Sequence, residues 1–243
     1  MKAFNLLFKT YGNSAVLIEW PAEINEIILD DIRIFSKKIK ACEIKGVVDF
    51  NFVYNSLLVN YDNSIISKDK LIISLQKIYL KSNDTVNFQK KTWHIPVCYD
   101  MNFGMDLKSF LKEKELTLEE FISMHSSPLY TVYGIGFLPG FLYLGGLPSR
   151  LITPRKKIPS LNVLKGSVAI GGDQTGIYPQ DSPGGWHVIG KTPIPLFDSN
   201  KEIPTFVSAG DRIKFYSISK SEFEIFKIEV ATDIYDFKRI VND

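Results

Sequence analysis

Glycine and proline are crowded into one stretch of this chain. Twelve of the sixteen glycines fall between Gly134 and Gly190, and most of the twelve prolines lie between Pro139 and Pro204. Glycine permits left-handed backbone and close approach, whereas proline fixes φ and removes a donor. Such a stretch cannot hold long helices and must run as short strands joined by tight turns. Between Tyr130 and Tyr216 the runs VYGIGF, SVAIGG, WHVIGK and DRIKFY are set at the spacing of a small β-barrel. Two differently built halves are predicted.

The first half alternates element types. Phe4, Leu6 and Phe8 repeat with period two, and a second run closes at Trp20-Pro21, so two strands with a Gly12-Asn13 turn are expected. Ile24, Ile27, Ile28, Ile32, Phe35 and Ile39 recur at steps of three and four, one stripe of a helix ending before Gly46. Val47–Val53 and Leu57–Tyr61 read as strands, and Leu71, Leu75, Ile78 and Tyr79 mark a second helix. The order ββαββα predicts an α+β domain over residues 1–90, with its boundary near Asn87 to Lys91.

Thr92–Tyr99 reads as a strand entering a mainly-β domain over 91–218, with Pro96 suggesting an edge position. Two short helices follow, the second opened by the capping box Thr117-Leu-Glu-Glu120 and stopping at His125-Ser-Ser-Pro128. An extension over 219–243, with Phe223, Ile225, Ile228, Ile234, Phe237 and Ile240, fits a strand or a helix.

Composition removes several functions. A net charge of +2 is too small for a counterion-release binder of nucleic acid. Cys42 and Cys98 form no CxxC pair and read as buried or idle thiols. Neither the opening MKAFNLLFKT nor the apolar window Gly136–Leu147, with its proline and four glycines, has the length of a signal core or a membrane helix. A cytoplasmic protein without membrane contact is expected.

One string needs care. Gly185–Thr192 satisfies G-x-x-x-x-G-K-[ST], the phosphate loop. That loop works only at the start of a helix, and Pro193 and Pro195 forbid one after the first turn. The string is better read as a strand running into a Pro-rich turn. His94, His125 and His187 have no ligand spacing for a metal, and no G-x-S-x-G elbow occurs. On residue types alone, Gln174, Thr175, Tyr178, Asp181, Ser182 and Trp186 either line a rigid pocket or belong to ordinary tight turns.

Taken in order, His125-Ser-Ser-Pro128, GFLPGFLYLGGLP from Gly136 to Pro148, Thr153-Pro154-Arg155, Gly166-Ser-Val-Ala-Ile170, Gln174-Thr-Gly-Ile-Tyr-Pro179 and Ser182-Pro-Gly-Gly-Trp186 carry a resemblance. The chain resembles the 5-oxoprolinase B subunits, a family also described as sensor-kinase inhibitors, as allophanate hydrolase subunit 1, and as carboxyltransferase domain subdomains C and D. The motifs run from about Ile95 to Phe215. The resemblance implies a cyclophilin-like carboxyl-terminal barrel and a subunit of an ATP-dependent complex that opens 5-oxo-L-proline to L-glutamate. ATP with magnesium would be used by the complex, with no metal site in this chain. The implied partners are a C-like second subunit and a metal-dependent A-like subunit, without which this chain is expected to be nearly inactive. Binding a sensor histidine kinase, or acting on another amide or urea-derived substrate, is the alternative.

By position in the motif, His125 and Asp181 are the implied proton-transfer residues, with a structural cap as the other reading of His125. Phe137, Pro139, Gly140, Arg155, Gln174, Thr175, Tyr178, Ser182, Gly184, Gly185 and Trp186 are the implied substrate or nucleotide contacts, Arg155 as a bidentate anchor for carboxylate or phosphate. The chain departs from the family at Val163-Leu164-Lys165, where relatives usually carry Val-Pro-Ala, and at Lys191, where they usually carry Arg.

Overall fold

The computed structural model describes residues 4–81 and 88–242. They fall into two compact units, one running to Gln89 and the other from Lys90. Asn87, at one end of the expected boundary, lies outside the described residues.

In the first unit β1 (Leu7–Tyr11), β2 (Ala15–Glu19), β3 (Val47–Val53) and β4 (Ser56–Tyr61) form an antiparallel sheet ordered β1-β2-β4-β3. Helices α1 (Glu26–Cys42) and α2 (Lys68–Leu80) follow the two hairpins. Asn25 caps α1 by accepting from the Ile27 amide, and Glu43 closes it in the left-handed region. The cap decides which part of the expected stripe is buried. Ile28, Ile32, Phe35 and Ile39 enter the core. Ile24 precedes the cap and Ile27 points to solvent, their places being taken by Leu29 and Ile34. Each such side chain contributes about 1.5–3 kcal/mol on leaving water. A buried carboxylate, Asp31, accepts from Trp20 Nε1 at 2.7 Å and from the Tyr79 hydroxyl at 2.7 Å.

The second unit begins with β5 (Thr92–Val97), then α3 (Leu107–Lys114), α4 (Leu118–Ser126), β6 (Tyr130–Ile135) and β7 (Leu142–Gly145). Strands β8 (Ser160–Val163), β9 (Ser167–Gly171), β10 (Gln174–Ile177), β11 (Ser182–Gly184), β12 (His187–Lys191) and β13 (Arg212–Ser217) follow, then α5 (Lys220–Ala231) and the short β14 (Val241–Asn242). The sheet runs β14-β5-β13-β6-β7-β10-β9-β12, antiparallel except for the parallel pair β5 and β13. Strands β8 and β11 make a separate hairpin. No continuous ladder closes the sheet among the described residues. An isolated bridge, Cys98 with Lys191, joins β12 to the end of β5.

Pro96 is not on an edge strand: β5 lies between β13 and β14. Proline is tolerated there because β14 pairs only with Thr92 and Trp93 and stops short of it. The Thr117 capping box forms as the sequence predicts, with Thr117 N donating to Glu120 Oε2 at 2.8 Å. A second box, Ser219 with Glu222, opens α5 and makes the first part of the tail a helix, with Phe223 packed on Cys98 and Ile218, while Ile234, Phe237 and Ile240 lie beyond it ahead of β14. Both cysteines are free thiols, Cys98 buried and Cys42 exposed. Among the described residues no helix is long and apolar enough to cross a membrane.

Candidate functional site

An aromatic cavity of about 280 Å³ opens on the second unit, lined by Phe137, Phe141, Tyr143, Arg155, Pro159, Tyr178, Pro183, Gly184, Gly185 and Trp186. Its wall is one indole seated on bare backbone. A Cβ on Gly171 would stand 2.6 Å from Trp186 Cγ, and one on Gly176 would stand 3.0 Å from Trp186 Cζ3. Only glycine lets the ring lie that close to β9 and β10. Gly184 serves Tyr178 in the same way, since a Cβ there would meet the phenol oxygen at 2.2 Å. Phe141 then packs edge-on against Tyr178 at 5.2 Å and Trp186 at 5.5 Å between ring centroids.

Phe137 forms the rim. It is 63% exposed and holds φ at +65°, a conformation that costs a side-chain-bearing residue energy and that clusters at ligand clamps. Gly140, at φ +85°, turns the loop back and leaves no room for a Cβ beside Phe197.

Arg155 supplies the charge. Its guanidinium carbon stands 5.6 Å from the Trp186 ring centroid, and no carboxylate pairs with it among the described residues. Two contacts fix its backbone: His187 Nε2 donates to Pro154 O at 3.0 Å, and the Lys156 amide donates to Gly185 O at 2.7 Å. Lys156 Nζ is itself held by Asp106 Oδ2 at 2.8 Å and Ser160 Oγ at 2.6 Å. Burial pushes the Tyr143 and Tyr178 hydroxyls up, against the opposing pull of Arg155, so both phenols are neutral donors at physiological pH. The cavity therefore offers flat apolar walls, neutral hydroxyls and one unpaired cation.

Of the residues expected from sequence, Phe137, Arg155, Tyr178, Gly184, Gly185 and Trp186 meet here. Pro139, Gly140, Gln174, Thr175, Asp181, Ser182 and His125 do not line it. Gln174 and Thr175 stand on strand β10 rather than on a turn, and Thr175 points into the core. Asp181 is exposed and accepts from the Lys165 amide at 2.6 Å, holding the turn before β9. Ser182 Oγ contacts the Pro183 carbonyl at 3.2 Å.

His125, expected either as a proton-transfer residue or as a structural cap, lies away from this cavity. The ring is fully buried and stacked between Phe121 and Phe215. Thr175 Oγ1 donates to Ala169 O at 3.0 Å, so it accepts from His125 Nε2 at 3.0 Å. Nδ1 is left to accept the Tyr99 hydroxyl proton at 2.8 Å. Burial holds the imidazole down to about 3, leaving a neutral ring with a partner at each nitrogen. Phe141 and Tyr143 escape the sequence reading. Their spacing of two, which on an extended segment puts both on one face, is the signal that points to them.

The string Gly185–Thr192 forms β12 and a proline turn, not a loop before a helix. Residues 6–207 match the family described as carboxyltransferase domain, subdomain C and D. The chain belongs to that carboxyltransferase family. Within it, the 5-oxoprolinase B subunit of Bacillus subtilis is 35% identical over 228 residues, covering 90% of this chain and 95% of the relative. The 5-oxoprolinase B subunit of Haemophilus influenzae is 46% identical over 173 residues, covering 70% and 79%. The crystal structure of the Kluyveromyces lactis urea amidolyase superposes with a TM-score of 0.84 at 18% identity, over 96% of this chain and 16% of that one. That likeness shows the carboxyltransferase fold, a mixed α/β arrangement with a large antiparallel sheet.

Proposed function

We propose that this chain is the B component of an ATP-dependent 5-oxoprolinase, converting 5-oxo-L-proline to L-glutamate together with an A-like and a C-like subunit. The observation that carries this reading is identity of 35% running over 95% of a relative that bears that name. The aromatic cavity supports it chemically. A five-membered lactam has two flat faces and one carboxylate, which match the Trp186 and Phe141 rings and the Arg155 fork.

The lactam carbonyl is resonance-stabilised; transfer of the ATP γ-phosphoryl group to its oxygen, with ADP leaving, would make the carbonyl carbon an electrophile to which water adds, after which the C–N bond opens to the amine and phosphate departs. Tyr143 and Tyr178, neutral and both in the lining, would be the hydroxyl donors for that oxygen. ATP and its magnesium are substrates of the complex. Among the described residues no three His, Cys, Asp or Glu side chains gather to hold a metal. A cyclophilin-like, barrel-like sheet is part of this reading, the Cys98–Lys191 bridge being its seam.

The test is 5-oxoproline-dependent phosphate release by the reconstituted complex, native against Arg155→Ala. Stimulation by 5-oxoproline, with kcat/KM falling about 10- to 100-fold in the variant through loss of a charge-assisted pair, is the expected outcome. No stimulation with the full set of subunits would reject the reading.

A further inference from the structure

A second cavity, also about 280 Å³, lies elsewhere on the second unit, and the proposed activity leaves it unused. Phe103, Ile194 and Phe223 give it apolar walls, with the Phe103 and Phe223 rings 4.4 Å apart. Around them stand Lys165, Lys191 and Lys227, with Glu224 as the one acidic residue in the lining. Three lysines against Glu224 in the lining and Asp181 beside it leave the opening net positive.

The surplus is only partly neutralised from within. Glu224 Oε2 lies 3.5 Å from Lys227 Nζ, and both side chains are largely exposed. Asp181, outside the lining, accepts from the Lys165 amide and attracts Lys191 through its charge. Lys191 is half-buried and has no carboxylate within pairing distance among the described residues. Its position is built by the fold. Lys191 exchanges both backbone hydrogen bonds with Cys98, at 2.8 and 3.0 Å. Its stem lies along Gly166, where φ is +81° and a Cβ would stand 3.5 Å from Lys191 Cγ. Desolvation lowers its pKa, with Asp181 and Glu224 pulling the other way.

We propose that this cavity is an anion site for a phosphate dianion, either inorganic phosphate or the terminal phosphate of an ester. Three converging lysines suit an anion with several oxygens to share among them. Lysines are point charges that suit a tetrahedral oxyanion, whereas a planar carboxylate is better met by an arginine fork. Apolar walls beside the ammonium groups strengthen each attraction relative to water. The lysine of the phosphate-loop string thus faces an anion cavity, reached from a strand end instead of a helix start.

The experiment is isothermal titration calorimetry on the isolated full chain at low ionic strength, with inorganic phosphate, ADP and acetate in separate arms. Native protein should bind phosphate or ADP, with Lys191→Met weakening binding about tenfold or more through loss of one charge-assisted contact. Lys227→Met, at an exposed helix position that folding does not need, should weaken it as well, while Lys45→Met in the first unit should not. Tighter binding of ADP than of phosphate assigns the site to an ester, and equal binding assigns it to the free ion. Absence of heat with both, acetate binding as tightly, or unchanged affinity in the Lys191 and Lys227 variants would overturn the proposal. Binding is read without turnover, so its failure is separable from failure of the proposed activity.

Discussion

Gly171→Ala tests whether the aromatic cavity is built on bare backbone. The added Cβ would stand 2.6 Å from Trp186 Cγ and Cδ1 and 2.7 Å from Cδ2. A ring met at three atoms cannot slide aside within its plane, and Trp186 is buried, so the indole must lift off β9. Overpacking of this kind costs about 1–3 kcal/mol, a fall of roughly 2–12 °C in Tm for a unit of this size. Trp186→Ala alone should cost about 3–5 kcal/mol. The double variant should cost little more than that, because the clash then has no partner. Thermal unfolding of the native, single and double variants gives the coupling directly, and tryptophan emission reports the displaced ring. Additive penalties, or a Gly171→Ala protein with native Tm and native emission, would refute the steric reading.

His125 predicts a pH dependence. Its folded-state value of about 3 lies below its ordinary 6.5, so its contribution is intact above pH 6.5 and is lost progressively as pH falls toward 3. At pH 5 the loss is about 2 kcal/mol relative to pH 8, and urea unfolding should show a slope that His125→Gln reduces. A slope unchanged in a folded variant would mean that the ring titrates normally. In the first unit, Asp31→Ala should leave Trp20 Nε1 and the Tyr79 hydroxyl unpaired, costing about 1–3 kcal/mol for each. The double change Asp31→Ala with Trp20→Phe should then be milder than the sum, measured by urea unfolding, and strict additivity would count against the shared carboxylate.

Legibility from sequence follows the range of the interactions. Helix α4 is readable because its capping box is local, and α5 carries the same signal in Ser219-Lys-Ser-Glu222, masked by the ambiguous alternation of the apolar residues after it. The stripe on α1 is placed to within its first turn, where Asn25 rather than hydrophobicity sets the start. The glycines next to Trp186 announce a close approach, but which ring approaches which strand is decided by pairing across β9, β10 and β7. The burial of His125 is not legible, because a histidine beside a helix end looks the same in sequence whether it faces water or Phe121 and Phe215. The anion cavity is hidden altogether, since Lys165, Lys191 and Lys227 converge only through folding.

Strand β12 ends the sheet path and so presents a side that invites another chain to pair. That side is already covered, Val188 and Ile189 being fully buried. Val188 donates to Asp106 Oδ2 at 2.8 Å and accepts from the Asp106 amide at 3.0 Å, so a single aspartate imitates one residue of a neighbouring strand. Three residues on, Cys98 does the same for Lys191 through main-chain atoms alone, and Pro193 follows with no N–H to offer. Asp106 and Cys98 therefore act as a guard against edge-to-edge aggregation. A chain that lost the Asp106 carboxylate would be expected to keep its sheet yet to self-associate through β12.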